Sequence, residues 1–322
     1  MLMIARLSGD VPVIRRTIIS RKSLVSERGT DGLGRDNRSM YANYWGLREI
    51  PFQNTLDGRW FYESPAHEEA LARLLYLVEQ HRRCGVLWGP AGTGKSLVLE
   101  LLRREAVRTG AEVALVDLLG SSGREMLWEV LAALGLSPAV NESQMNLWRR
   151  LHDHVLASRY AHASLVLIFD HLDRAHADCV ALIERLQHLS SGGNSGLTLV
   201  LGVAGDRAAG IWQTLREVSD LRIDLPPLDC NETQRYVEFL LLRAGADRPV
   251  FDRSAFDRLF DETHGIPRDL NRLCDLALLA GMADQAVHID AAIVSAAAEE
   301  LHARPRNDRP LVHFRERFAA EI

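Results

Sequence analysis

Lysine is nearly missing from this sequence: Lys22 and Lys95 stand against 36 arginines. A bias toward arginine explains the scarcity, so a lysine retained inside a structured region marks a place where a planar guanidinium would not serve. Cysteine is sparse too, at four residues. Cys84, Cys179, Cys230 and Cys274 form no C-x-x-C pair, which argues against both a disulfide framework and a cysteine zinc site. His152 with His154, and His171 with His176, lack a third ligand at a familiar spacing, so the histidines point to no metal centre either. No apolar run approaches the ~18 residues of a membrane span. Arg6, Asp10, Arg15 and Arg16 also interrupt the start before a signal-peptide core can form. The expectation is a cytoplasmic globular protein with no membrane span.

What is present suits that class. The 322 residues, 47% apolar and 25% charged, have room for one large domain or two modest ones. The net charge of −5 is unevenly spread: residues 1–39 carry eight basic and four acidic groups, leaving 30 basic against 39 acidic for the rest. An acidic body disfavours non-specific duplex binding, because phosphate neutralisation supplies most of that affinity. DNA stays open as a partner only through a local basic patch.

Residues 1–39 lack periodicity and are rich in Arg, Ser and Gly, so they read as a disordered extension, with Met40 a candidate natural start. A helix is expected behind Ser64-Pro65, an N-cap followed by proline, with Leu71, Leu74, Leu75 and Val78 at helical spacing. Apolar strands follow at 85–88, 113–118, 165–170, 197–204 and 221–225, with helices between several of them, over 95–107, 124–134, 143–158 and 179–189. Buried strands alternating with helices predict an α/β core, a parallel sheet covered on both faces, over residues 40–228. After Pro226-Pro227 only helical periodicity remains, in four stretches that predict a small helical domain over 229–303. A tail at 304–322 carries Leu311, Phe314, Phe318 and Ile322 on one possible helical face, suited to docking on the chain's own helical domain or on a partner.

Between the first strand and its helix, residues 89–96 read G-P-A-G-T-G-K-S and match G-x-x-x-x-G-K-[ST] at every fixed position. Glycines at 89, 92 and 94 let backbone N–H groups turn inward as an anion nest, and the following helix adds its positive end. The phosphate-binding set is Gly89, Pro90, Ala91, Gly92, Thr93, Gly94, Lys95, Ser96 and Leu97, with ATP and Mg²⁺ as the expected ligands. Lys95 reaches the β- and γ-phosphates, and Ser96 holds Mg²⁺. The scarce lysine is thus placed where a compact ammonium is needed.

The strand L-V-L-I-F ends in Asp170, which either holds Mg²⁺ through water or caps the next helix. Many P-loop ATPases carry a glutamate next, to polarise the attacking water. Here the residue is His171, which lacks the carboxylate's charge, so hydrolysis is expected to be slow or to use Asp173 as a substitute base. The plainer reading of Asp173 is an N-cap.

These elements, with Y-W-G-L-R-E-I-P-F and S-P-A-H-E-E-A-L-A-R-L-L-Y before the loop and G-I-P-R-D-L-N-R-L-C-D-L-A-L-L-A after it, resemble the ExeA/GspA-type AAA+ ATPases of the general secretion pathway, a group close to transposition ATPases such as MuB. The resemblance covers about residues 40–301. It implies a helical lid in which Arg268 stands at the sensor-2 position on the γ-phosphate, unless it is a solvent-exposed helix-end arginine. It also implies an oligomer, with Arg216 or Arg222 as arginine finger. The sequence departs from the family with D-H at 170–171 in place of D-E, and with Asp206 where a polar sensor-1 residue is usual. The expected function is an oligomerising ATPase that remodels or assembles an unidentified protein partner. The alternative is a nucleotide-gated binding module with little turnover, and a small-molecule kinase comes third because nothing resembles an acceptor site.

Overall fold

The structure, a computed structural model, describes residues 40–55, 57–190, 196–205 and 212–303. The extension at 1–39, the tail at 304–322 and Asp206 lie outside the described residues. Five strands, β1 (Cys84–Gly89), β2 (Glu112–Asp117), β3 (Leu165–Asp170), β4 (Leu197–Ala204) and β5 (Leu221–Asp224), form one parallel sheet in the order β2-β3-β4-β1-β5. Every residue of β3 and β4 is buried, which is why these strands read as unbroken apolar runs.

Alternate strand residues supply two cores, as the two-residue period requires. On one face Leu87, Ile168 and Val200 pack against helices α1 (Pro65–Glu79) and α2 (Lys95–Arg108). On the other face Val86, Leu167 and Leu201 meet α3 (Gly123–Ala133), α4 (Gln144–Tyr160) and α5 (Ala177–Ser190). The short helix α6 (Trp212–Val218) is an addition to the elements expected from the sequence. The strand order sets β4 between β1 and β3, so the loop after β1 and the aspartate ending β3 flank the end of β4 on the carboxyl edge of the sheet. That edge is where open α/β sheets bind ligands.

The C-terminal region is helical: α7 (Cys230–Arg243), α8 (Arg253–Thr263), α9 (Pro267–Ala283) and α10 (Ala291–Ala303). Asp229 and Glu232 close a capping box on α7, Asp252 caps α8, and Pro267 opens α9. The aromatic segment before α1 is buried with this region: Tyr41, Trp45, Leu47 and Phe52 share a cluster with Val237, Leu273, Leu278 and Ile289. Trp45 Nε1 donates to Leu278 O at 2.9 Å, and Tyr41 Oη donates to Asp275 at 2.6 Å. The start of the described chain therefore straps the lid as well as leading into the core.

Candidate functional site

The loop between β1 and α2 is shaped by two left-handed residues, Gly92 (φ 93°) and Gly94 (φ 98°), a conformation that costs an L side chain roughly 1 kcal/mol or more. Gly94 is also the N-cap of α2, and no side chain caps that helix. The first N–H groups of α2 therefore have no capping side chain, an arrangement that an anion completes. Lys95 is only 8% exposed. Its Nζ spans the loop and donates to Gly89 O at 2.9 Å and Pro90 O at 2.7 Å. Left-handed glycines, an uncapped helix start and a buried ammonium that donates to loop carbonyls fit a polyphosphate.

Asp170, buried at the end of β3, lies over Gly202 of β4, where a Cβ would stand 2.6 Å from Asp170 Oδ1 and 2.8 Å from Leu99 Cδ1. A glycine inside a fully buried strand thus makes room for the carboxylate and for the first turns of α2. Ser96 stands in that first turn. Among the described residues no group of three or more His, Cys, Asp or Glu could hold a metal ion. Two protein oxygens, from Ser96 and Asp170, nevertheless suit Mg²⁺, which keeps several waters and takes the rest of its shell from phosphate oxygens.

His171 adopts the left-handed region (φ 54°), and its N–H donates to Asp170 Oδ1 at 2.8 Å. Its ring is held by a residue that the sequence reading missed: Nδ1 lies 2.8 Å from Asp117 Oδ1, against 3.6 Å from Asp170 Oδ2. Asp117 ends β2 directly beside Asp170 in the parallel register. The hydrogen bond to Asp117 raises the His171 pKa above its usual value, against desolvation and with help from the charges of Asp170, Asp117 and Asp173. The same bond lowers the pKa of Asp117.

Asp173 does not cap α5. It sits in the 3-10 turn Leu172–Arg174, and its Oδ1 accepts from Ala204 N, at the end of β4, at 2.8 Å. Its Oδ2 is buried without a hydrogen-bond partner among the described residues.

The lid touches the loop through the start of α9. Arg268 N donates to Gly92 O at 3.3 Å, and a Cβ on Gly92 would stand 2.9 Å from Ile266 Cγ2 and 3.0 Å from Arg268 Cβ. The Arg268 residue is otherwise exposed. Of the two other arginines singled out, Arg222 stacks over Trp88 at 4.7 Å and pairs with Asp224 at 2.6 Å, whereas Arg216 is exposed on α6.

Comparison with known proteins agrees with this geometry. Residues 78–205 match the family described as AAA domain. The chain is a distant homologue of General secretion pathway protein A of Aeromonas hydrophila, 29% identical over 266 residues, or 81% of this chain and 48% of that protein. It therefore spans about half the length of this curated relative. Three solved structures share the fold: Drosophila ORC bound to DNA (TM-score 0.60, 15% identity, 94% of this chain and 71% of that one), Cdc6p of Pyrobaculum aerophilum (0.58, 18%, 82% and 74%) and the ORC2 protein of Aeropyrum pernix (0.57, 15%, 80% and 72%). The fold is that of AAA+ proteins, and an AAA domain implies nucleotide binding. Among the described residues no helix is long and apolar enough to cross a membrane.

Proposed function

We propose that this chain binds MgATP in the loop Gly89–Leu97 and couples the bound nucleotide to the angle of the helical lid, with hydrolysis releasing the lid to remodel or assemble a protein partner. The observation that carries the reading is the seat of α9 on the loop, where Ile266 and Arg268 fill the space beside Gly92. A phosphate drawn into the loop sits next to the backbone that holds the lid, and in this reading Arg268 is the cation that meets its outermost charge. In this reading Lys95 spans the β- and γ-phosphates, and Ser96 and Asp170 hold Mg²⁺, which supplies neutralisation of the phosphate charge. The acidic balance of the body favours a protein partner over a nucleic acid. If the chain acts as an oligomer, the exposed Arg216 is better suited to reach a neighbour's nucleotide than Arg222, which its own chain engages.

Arg268→Ala is expected to weaken ATP binding about tenfold to 100-fold, the range of one charge-assisted contact, and to reduce the thermal stabilisation given by saturating MgATP. Thermal melts with and without nucleotide measure both. An unchanged nucleotide-dependent shift in Arg268→Ala would remove the lid from the mechanism.

One observation favours the second reading, a switch that binds without appreciable turnover. Asp117 engages His171 Nδ1 at 2.8 Å, and a ring nitrogen occupied by that carboxylate is not available to take a proton from water. The double substitution His171→Glu with Asp117→Asn installs a carboxylate without setting it against Asp117. We expect it to raise phosphate release about tenfold or more over wild type and over Asp117→Asn alone. Loss of a measurable wild-type rate in Asp173→Asn would instead make Asp173 the base and leave the ATPase reading in place.

A further inference from the structure

One buried histidine outside the expected site touches the phosphate loop. His67 occupies the third helical position of α1, behind its N-cap Ser64 and Pro65, and is only 5% exposed. Its Nδ1 lies 2.7 Å from Ser64 Oγ, and its Nε2 lies 2.9 Å from the carbonyl oxygen of Thr93, inside the loop. Phe61 packs edge-on against the ring, with centroids 5.6 Å apart. Gly94 leaves room for the imidazole, because a Cβ there would stand 2.8 Å from Nε2.

The chemistry of the two partners fixes the tautomer. A carbonyl oxygen only accepts, so Nε2 must carry the proton and donate to Thr93, and Nδ1 then accepts from the Ser64 hydroxyl. Burial lowers the His67 pKa, with the bond to Thr93 opposing, which keeps the ring in the neutral form this arrangement uses.

The consequence for the loop follows from the peptide bond. In a planar trans peptide the C=O of one residue and the N–H of the next point in opposite directions. Turning Thr93 C=O toward His67 of α1 turns the N–H of Gly94 away from α1.

We propose that His67 is a positioning residue for phosphate binding: through Thr93 it sets the orientation of the Gly94 amide, and so readies a backbone donor before the nucleotide arrives. The inference rests on the phosphate-binding reading of the loop, and its test has one arm that needs no nucleotide.

That arm is the ¹⁵N spectrum of the His67 side chain in the free protein. The expected result is the neutral Nε2–H tautomer together with a Gly94 amide resonance that moves in His67→Phe. A spectrum showing the Nδ1–H tautomer overturns the proposal, because Thr93 then has no donor. The second arm measures ATP affinity and thermal stability in His67→Phe, which keeps the ring volume without donors, and in His67→Gln, whose amide nitrogen reproduces the reach of Nε2. We expect His67→Phe to bind ATP about tenfold more weakly and His67→Gln to stay within about threefold of wild type, a rescue that volume alone would not give. Wild-type affinity in His67→Phe, or an equal loss in both variants at equal stability, overturns the proposal. A wild type that binds no ATP refutes the phosphate-binding reading, and the tautomer result then stands separately.

Discussion

Replacing Lys95 with alanine is expected to weaken ATP binding roughly 100-fold, or about 3 kcal/mol, with the fold retained. Lys95 is buried, and its ammonium donates to Gly89 O and Pro90 O. Those two carbonyls hold the ammonium at the loop, where an incoming phosphate offers charged acceptors, a stronger kind of hydrogen bond than a carbonyl gives. Alanine is a better helix former at the start of α2, so the helix loses nothing intrinsic. What disappears is the donor. Lys95→Arg is the sharper comparison, because the chain otherwise favours arginine so heavily: 36 arginines to two lysines. The guanidinium keeps the charge but is planar and branched at its tip, and it cannot enter a loop closed by carbonyls 2.9 and 2.7 Å from a single nitrogen. Titration of both variants with ATP should therefore show arginine failing to rescue. Rescue to within about threefold would mean that the loop needs only a positive charge, and the reading of lysine scarcity would fall with it.

The parts of this site legible in the sequence are those fixed by neighbours along the chain. The glycine loop, the uncapped start of α2 and the buried strand ending in Asp170 are each written within a dozen residues, and the extents of β3 and β4 are where the apolar runs place them. The parts that were not legible are contacts across the fold. Asp117 meets His171 only because β2 and β3 pair in a register that sets Asp117 beside Asp170. His67 meets Thr93 only because α1 and α2 pack on the same face of the sheet. In both cases a weak local sign exists. An aspartate ends two strands in succession, and the third position of α1 carries a histidine where a capping box would carry glutamate or glutamine. Asp173 shows the reverse case: its sequence position suits a cap, but the 3-10 turn directs it to the end of β4 instead. The aromatic residues from Tyr41 to Phe52, expected within the α/β core over 40–228, are buried with the helical region instead, since apolar density specifies burial and not the partner.

Gly265→Ala is expected to destabilise the protein by about 3 kcal/mol and to lower its melting temperature by roughly 5–10 °C. Two costs combine. Gly265 is left-handed (φ 70°) and follows the left-handed His264, so any side chain pays roughly 1 kcal/mol for the conformation alone. A Cβ there would also stand 1.9 Å from Leu228 O, a backbone atom that no rotamer change can remove. The approach is close because the two segments are bonded: Leu228 N donates to Gly265 O at 2.9 Å. Leu228 is the junction between core and lid, and the turn at Gly265 leads directly into Ile266 and Arg268, which seat α9 on Gly92. Relief of the overlap must therefore shift either the junction or the start of α9, and ATP affinity should fall along with stability. Gly110→Ala provides the control. Gly110 is also left-handed (φ 94°), yet nothing stands within 4 Å of its Cβ position, so it should lose only the conformational part, about 1 kcal/mol, and keep its ATP affinity. Chemical denaturation and ATP titration of the two variants separate strain from overlap. If both lose the same stability and neither loses affinity, the turn at Gly265 is only a helix terminus and transmits nothing from the lid to the loop.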